Sequence, residues 1–177
     1  MHELQNDWSP VADPNLEFSY GHAVEFAWLM LDAERVLGRS PSTDYLLAVV
    51  DHTLHRCWDA ERGGIYGAAP VDAPADDTDK YWWAQAEMMA ALTDAALARP
   101  SSRYAADLVQ LVDFVNTYFA DPRDGVWIDA VTRDGTVLKP AKAHDWMGGY
   151  HDMRALVRFC RAFGRPDAGP SGTSRLE

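Results

Sequence analysis

Three stretches of the sequence begin in the same way: Gly21-His22-Ala23-Val24-Glu25-Phe26-Ala27-Trp28, Lys80-Tyr81-Trp82-Trp83-Ala84-Gln85-Ala86-Glu87 and Trp146-Met147-Gly148-Gly149-Tyr150-His151-Asp152-Met153-Arg154. Each opens a mostly apolar helical pattern and places His, Trp or carboxylate side chains in its first turns. His22 and Trp83 lie 61 positions apart, and Trp83 and His151 lie 68 apart. A near-regular period of this length predicts a repeated helical hairpin. If the hairpins stack, the three polar starts meet at one end of the array.

Five helical segments are predicted from the apolar patterns and from the turn residues between them. They are about His22–Leu37, Thr43–Trp58, Lys80–Leu97, Arg103–Phe119 and Gly149–Phe163. The first is apolar on nearly every side, which is typical of a buried helix, whereas the fourth has one apolar stripe, which is typical of a half-exposed one. Alternation of the two kinds predicts an all-α fold with two concentric layers, in which the first, third and fifth helices lie inside. This is the plan of an α/α toroid, and five helices make about half of one.

Short turns that contain glycine and an aromatic residue recur between the hairpins. Gly64-Ile65-Tyr66 and Gly125-Val126-Trp127 hold the same place in their repeats. A short β-hairpin is predicted to join Val126–Ile128 to Thr136–Leu138 through a glycine turn. We expect one domain over residues 1–165. Residues 166–177 are rich in Gly, Pro and Ser and are predicted to form a flexible tail.

Composition limits the classes of partner. The net charge is −11 and no basic stripe is present, so nucleic acid and anionic membrane surfaces are not expected partners. No apolar run reaches the length of a membrane span, and the first residues show no secretory signal. Cys57 and Cys160 lie within helical patterns, which indicates free thiols in a reducing compartment. A cytoplasmic protein is therefore predicted.

The convergence of the three helix starts indicates a kind of chemistry. It would bring together two histidines, several tryptophans and several carboxylates. Histidine is the side chain best suited to proton transfer near neutral pH, and tryptophan offers a flat apolar surface to the C–H face of a sugar. The pattern therefore favours an acid–base site for a sugar.

The sequence resembles the N-acylglucosamine 2-epimerase superfamily, which includes cellobiose 2-epimerases and mannose-type aldose–ketose isomerases. Four motifs carry the resemblance: Gly21-His22-x-x-Glu25-x-x-Trp28, Asp59-x-x-x-Gly63-Gly64-x-Tyr66, Lys80-x-Trp82-Trp83-x-Gln85-x-Glu87 and Trp146-x-x-x-Tyr150-His151-x-x-Arg154. The resemblance implies an (α/α)6 barrel of about twice this length. The present chain matches its C-terminal half.

The resemblance also implies an activity and a set of site residues. Members of the family epimerise or isomerise a reducing sugar at C2 through an enediolate, without a cofactor. By this resemblance, His22 and His151 transfer the protons. The residues that would bind the sugar are Glu25, Trp28, Trp83, Glu87, Trp146 and Arg154. No metal is expected, because His52 and His55 form an H-x-x-H pair without a third ligand.

Two other functions remain open from the sequence. One is a non-catalytic module, for sugar binding or for protein interaction, that derives from the same family. The other is a glycoside hydrolase on a similar toroid, with Glu25 and Glu87 as the acid–base pair. The expected small-molecule partner is a mono- or disaccharide. A homodimer is expected to cover the open edge of the half barrel, and whether the chain is an enzyme on its own stays open.

Overall fold

The computed structural model describes residues 17–70, 75, 77–100 and 103–164. Its helices are α1 (Tyr20–Val36), α2 (Thr43–Arg56), α3 (Trp82–Ala98), α4 (Tyr104–Tyr118) and α5 (Tyr150–Phe163). Its strands are β1 (Glu17–Phe18), β2 (Ala69–Pro70), β3 (Lys80–Tyr81), β4 (Ala130–Val131) and β5 (Val137–Lys139). The five predicted helices are confirmed, with ends that differ by no more than two residues. The predicted tail at 166–177 lies outside the described residues.

Helix α3 is the centre of the structure. Every side chain from Ala84 to Ala96 is buried, and α3 contacts all four of the other helices. Alanines at six of these positions allow the neighbouring helices to approach closely, whereas a helix with a polar face could not be surrounded in this way. The positions of the site residues therefore depend on how α1 and α5 pack against α3.

The remaining helices form the two predicted layers. Helices α1 and α5 flank α3, and ion pairs between Arg154 and Glu25 and between Arg158 and Asp32 join these two helices. Helices α2 and α4 pack on α3 from outside through apolar stripes that include Leu46, Leu47, Val50 and Leu54 on α2 and Leu108, Leu111, Phe114 and Val115 on α4. Among the described helices, none has the length and apolar character that a membrane crossing requires.

The predicted β-hairpin exists, but its first strand was placed wrongly. Strand β4, at Ala130–Val131, pairs antiparallel with both β5 and β3. Residues 126–128 return to the end of α4 instead, because the Asp121 amide donates to the Val126 carbonyl and the Ile128 amide donates to the Phe119 carbonyl, both at 3.0 Å. The backbone groups of residues 126–128 are thus hydrogen-bonded to the end of α4 and do not form the first strand of the hairpin. The bridge between Trp58 and Ile65 is equivalent to the one between Ala120 and Trp127, so the two turns hold the same place, but Gly63 rather than Gly64 corresponds to Gly125.

A glycine and an amide fasten the first of these turns to α3. Gly64 has φ of +82°, and a Cβ there would lie 2.7 Å from the side-chain oxygen of Gln85. That oxygen accepts from the Ile65 amide at 2.8 Å, and the Gln85 side-chain nitrogen donates to the Ile65 carbonyl at 2.7 Å. Gln85 therefore pairs with Ile65 as a strand would, and only glycine fits beside it.

A buried ion network fixes the chain just before α3. The Lys80 ammonium, which is fully buried, donates to the Asp59 carboxylate at 3.0 Å and to the Gly63 carbonyl at 2.7 Å. Arg133 reaches both oxygens of Asp59, at 3.0 and 3.1 Å. Burial alone would raise the pKa of Asp59, but the hydrogen bonds from Arg133 and Lys80 lower it to about 2. The network ties the turn after α2 to β3 and β4.

Replacement of Asp59 tests this network. We expect Asp59→Ala to lower the free energy of unfolding by about 3–5 kcal/mol, because it leaves the Lys80 ammonium buried without a counter-charge. The double variant Asp59→Ala/Lys80→Met should recover part of the loss. Asp124→Ala, which removes an exposed partner of Lys142, is the control and should cost less than about 1 kcal/mol. Urea denaturation measures all three, and equal losses at Asp59 and Asp124 would contradict the account.

The same network sets a pH window. Because the pKa of Asp59 is lowered by folding, its contribution is complete above the ordinary carboxyl range near ~4 and is lost as the pH falls toward about 2. We therefore expect the acid unfolding of Asp59→Asn to depend less on pH across this window than that of the unaltered chain. Circular dichroism against pH measures it, and identical pH dependences would contradict the assignment.

Candidate active site

A buried carboxylate lies where the first turns of α1, α3 and α5 meet. Glu87, on α3, is fully buried. One oxygen accepts from the Trp28 indole at 2.8 Å. The other accepts from His151 Nδ1 at 2.5 Å and from the Arg154 guanidinium at 2.6 Å. Glu87 is thus bound by one donor from α1 and two from α5.

Arg154 extends this cluster to α1. The guanidinium nitrogen that reaches Glu87 also donates to Glu25 at 2.9 Å. The same group lies 4.4 Å from the centre of the Trp28 ring and hydrogen-bonds the Tyr150 hydroxyl. Burial alone would lower the pKa of Arg154, but its bonds to Glu25 and Glu87 raise it. Arg154 is therefore a permanent cation between two carboxylates.

The contact with Glu87 decides which nitrogen of His151 is free. A carboxylate with this set of donors only accepts, so Nδ1 carries the proton. The lone pair of a neutral His151 then lies on Nε2. The His151 side chain is partly exposed.

His22 and His151 both pack against Trp83. The centroids of His22 and Trp83 are 4.6 Å apart, and those of Trp83 and His151 are 5.9 Å apart. His22 is exposed, and the Ser19 hydroxyl lies 2.7 Å from its Nδ1. A Cβ at Gly21 would fall 2.4 Å from the Trp83 ring, so the glycine before His22 is what lets α1 approach this indole. The two predicted proton carriers therefore contact the same tryptophan.

The predicted site residues lie in three different places. Six of them share one cluster: His22, Glu25, Trp83, Glu87, His151 and Arg154. Trp28 is buried behind this cluster, with Arg154 and Arg158 over its ring, so its indole supports Glu87 from within. Trp146 stands in the loop before α5 and is 85% exposed. Contact of any of these residues with a sugar stays a prediction.

Sequence reasoning missed a second layer of charges on the same helices. Arg158 lies one turn beyond Arg154 and pairs with Asp32 of α1, and Asp94 of α3 lies 3.4 Å from it. Burial raises the pKa of Asp94. These side chains line a cleft of about 560 Å³ between α1, α3 and α5. A carboxylate in the alanine-rich sequence of α3 is the signal that could have revealed this layer.

The geometry also contains a possible set of metal ligands. Glu25, Glu87 and His151 each offer one ligand atom, and these atoms lie within 4.8 Å of one another. The Arg154 guanidinium already contacts both carboxylates of this set. A metal ion would have to displace this guanidinium, so Arg154 already supplies the positive charge that pairs these carboxylates.

Comparison with known proteins places this cluster in a family. The family model for N-acylglucosamine 2-epimerase (GlcNAc 2-epimerase) matches residues 2–155. The chain belongs to the N-acylglucosamine 2-epimerase family. It is similar to the D-mannose isomerase of Marinomonas mediterranea, with 31% identity over 142 residues, or 78% of this chain and 35% of the relative. It is 26% identical to the N-acylglucosamine 2-epimerase of Bos taurus, over 77% of this chain and 34% of that protein.

A solved structure supports the fold. The crystal structure of a D-mannose isomerase superposes with a TM-score of 0.76 and 25% identity, over 90% of this chain and 44% of that one. The predicted relation to part of an (α/α)6 toroid is therefore confirmed. The chain spans about a third of the length of the curated relatives that it matches.

Trp28 and Trp146, the other two tryptophans among the predicted site residues, test the geometry of the site. We expect Trp28→Ala to lower the free energy of unfolding by about 3–5 kcal/mol, because it leaves a cavity and removes a donor from buried Glu87. Trp146→Ala should change it by less than about 0.5 kcal/mol, because an exposed ring has little packing to lose. Thermal and urea unfolding measure both. A large loss at Trp146 would show that this residue belongs to the core.

Proposed function

We propose that this chain carries the proton-transfer residues of a sugar 2-epimerase or aldose–ketose isomerase. The observation that carries the proposal is the row of His22, Trp83 and His151, in which His151 Nδ1 is held by a buried carboxylate 2.5 Å away. The family and its named relatives act on sugars, which agrees with this arrangement.

The proposed reaction needs two groups that exchange protons. In an open-chain sugar the aldehyde acidifies the proton on C2. One imidazole takes this proton, the C2–H electrons form the enediolate, and the aldehyde oxygen gains the charge. Return of a proton to the other face of C2 gives the epimer. Return of a proton to C1, with transfer of the O2 hydroxyl proton to O1, gives the ketose. His22 and His151 fill these roles, and the stereochemistry of the substrate decides which one attacks first.

The other residues of the cluster position these two groups. Glu87 fixes the orientation of His151 and leaves its Nε2 toward the substrate. Arg154 could instead stabilise the enediolate oxygen, but Glu25, Glu87 and Tyr150 already engage this guanidinium, which favours a positioning role. Trp83, which contacts both imidazoles, is suited to pack on the C–H face of the sugar.

The burial of Glu87 disfavours the glycoside hydrolase alternative. A catalytic acid must reach the glycosidic oxygen. Glu87 is fully buried and accepts hydrogen bonds from Trp28, His151 and Arg154, so neither oxygen is open to a substrate. His22 is exposed and His151 is partly exposed, whereas the Glu25 carboxylate is held by Arg154.

We also propose an assembly and a location for the chain. Apolar side chains of α1 and α5 are exposed, among them Phe26 and Met153 at 55% and 57%. A second copy that covers these two flanks would form a homodimer with two sets of site residues. Cys57 and Cys160 are both free thiols, which agrees with a reducing compartment such as the cytoplasm.

Exchange of the C2 proton tests the chemistry. We expect the chain in deuterated water to exchange the C2 proton of D-mannose, and His22→Asn or His151→Asn to slow this exchange by roughly 10²–10⁴-fold. His55→Asn, on the exposed side of α2, is the matched control and should keep the full rate. NMR follows the loss of the C2 proton signal. Full exchange by His151→Asn would exclude the assignment, and sugar binding without exchange would favour a non-catalytic module.

The mass of the chain in solution tests the assembly. We expect light scattering at micromolar concentration to give twice the mass of one chain. Met30→Glu, on the exposed side of α1, should shift this mass toward the monomer, because it places a charge in the proposed interface. Val109→Glu, on the exposed side of α4, is the control and should leave the dimer intact. A monomeric mass for the unaltered chain would exclude the dimer.

A further inference from the structure

The loop between β5 and α5 presents one exposed tryptophan between two anchored residues. Trp146 is 85% exposed, whereas its neighbour Met147 is buried. The Met147 amide donates to the His144 carbonyl at 2.9 Å. The loop is therefore fixed on either side of Trp146, and the indole itself has little contact with the protein.

His144 contacts both the loop and the body of the fold. Its Nδ1 accepts from the Trp146 backbone amide at 3.2 Å. Its Nε2 faces the Asp129 carboxylate at 3.4 Å, and its ring packs edge-on against Trp82 at 5.6 Å between centroids. Because Nδ1 accepts, the proton of the neutral ring lies on Nε2, on the side of the carboxylate. The two contacts of His144 thus favour the same tautomer.

Asp129 is itself fixed to two elements. Its backbone carbonyl accepts from the Trp82 amide at the start of α3, and its own amide donates to the Ala141 carbonyl in the loop, both at 2.9 Å. Its side chain is nearly buried. Asp129 is therefore placed by α3 and in turn faces the imidazole that binds the Trp146 amide.

We propose that His144 and Asp129 form a latch that positions the Trp146 loop for sugar binding. The latch fixes this loop to the start of α3 and so sets the place of the Trp146 indole, which lies five residues before His151 in the chain. His144 and Asp129 are positioning residues, because neither takes part in proton transfer. The inference rests on the proposed function for its ligand, but the latch itself is a property of the described residues.

Three variants distinguish the contact between His144 and Asp129 from the local turn, which is the hydrogen bond from the Trp146 amide to the His144 side chain. His144→Ala removes both contacts. His144→Asn keeps a side-chain oxygen that can accept from the amide two residues on, but its side chain is too short to face Asp129. Asp129→Ala keeps His144 and removes the fixed carboxylate. His55→Ala, on α2, is the matched control for loss of an exposed imidazole.

Two NMR measurements on the full chain test the proposal. The first is hydrogen exchange of the Trp146 backbone amide. The second is a titration with D-mannose followed by the Trp146 indole signal. We expect His144→Ala and Asp129→Ala to speed the amide exchange and to raise the Kd for mannose about tenfold, as loss of one hydrogen-bonded contact predicts. His144→Asn should restore amide protection but keep the raised Kd.

Each result decides the proposal. Unchanged amide exchange in His144→Ala or in folded Asp129→Ala overturns the latch. Full recovery of mannose affinity in His144→Asn also overturns it, because the local turn would then suffice. If the unaltered chain does not bind mannose, the proposed function fails for this chain, and amide exchange in the same variants still decides the latch. If Asp129→Ala does not fold, the two His144 variants decide it.

Discussion

This structure depends on the hydrogen bonds that pair the buried carboxylate of Glu87. A charge without solvent is stable only when it is paired and hydrogen-bonded. Helix α3 offers no other polar partner at this level, so the donors come from α1 and α5, as Trp28, His151 and Arg154. The need to pair this buried carboxylate therefore brings α1 and α5 against α3, and it also places the imidazole of His151 next to an acceptor.

The same three helices carry a second set of paired charges further along their length. Asp32, Asp94 and Arg158 take the places of Glu25, Glu87 and Arg154 one or two turns along. Trp28 lies between the two levels, with both guanidinium groups near its ring. The alanines of α3 allow the close approach, and the charged layers fix the rotation of α1 and α5 about their axes. Packing and chemistry thus share one set of residues.

The sequence predicts the parts that depend on periodicity, because apolar spacing and helix starts are local signals. It gives the five helices, their layers and the meeting of His22, Trp83 and His151. It misplaces the first strand of the hairpin, since two-residue strands are defined by long-range partners. It gives no role to His144 and does not reveal that Asp59, Lys80 and Arg133 share a buried network, because residues 21 and 74 positions apart along the chain meet only in the fold.

The central claim is that Glu87 fixes the tautomer of His151. Long-range ¹H–¹⁵N NMR of the imidazole nitrogens, assigned by comparison with His151→Asn, measures this directly. We predict that Nδ1 carries the proton of the neutral ring and that Nε2 is unprotonated in that form. A neutral ring with its proton on Nε2, or one that exchanges freely between the two tautomers, would contradict it.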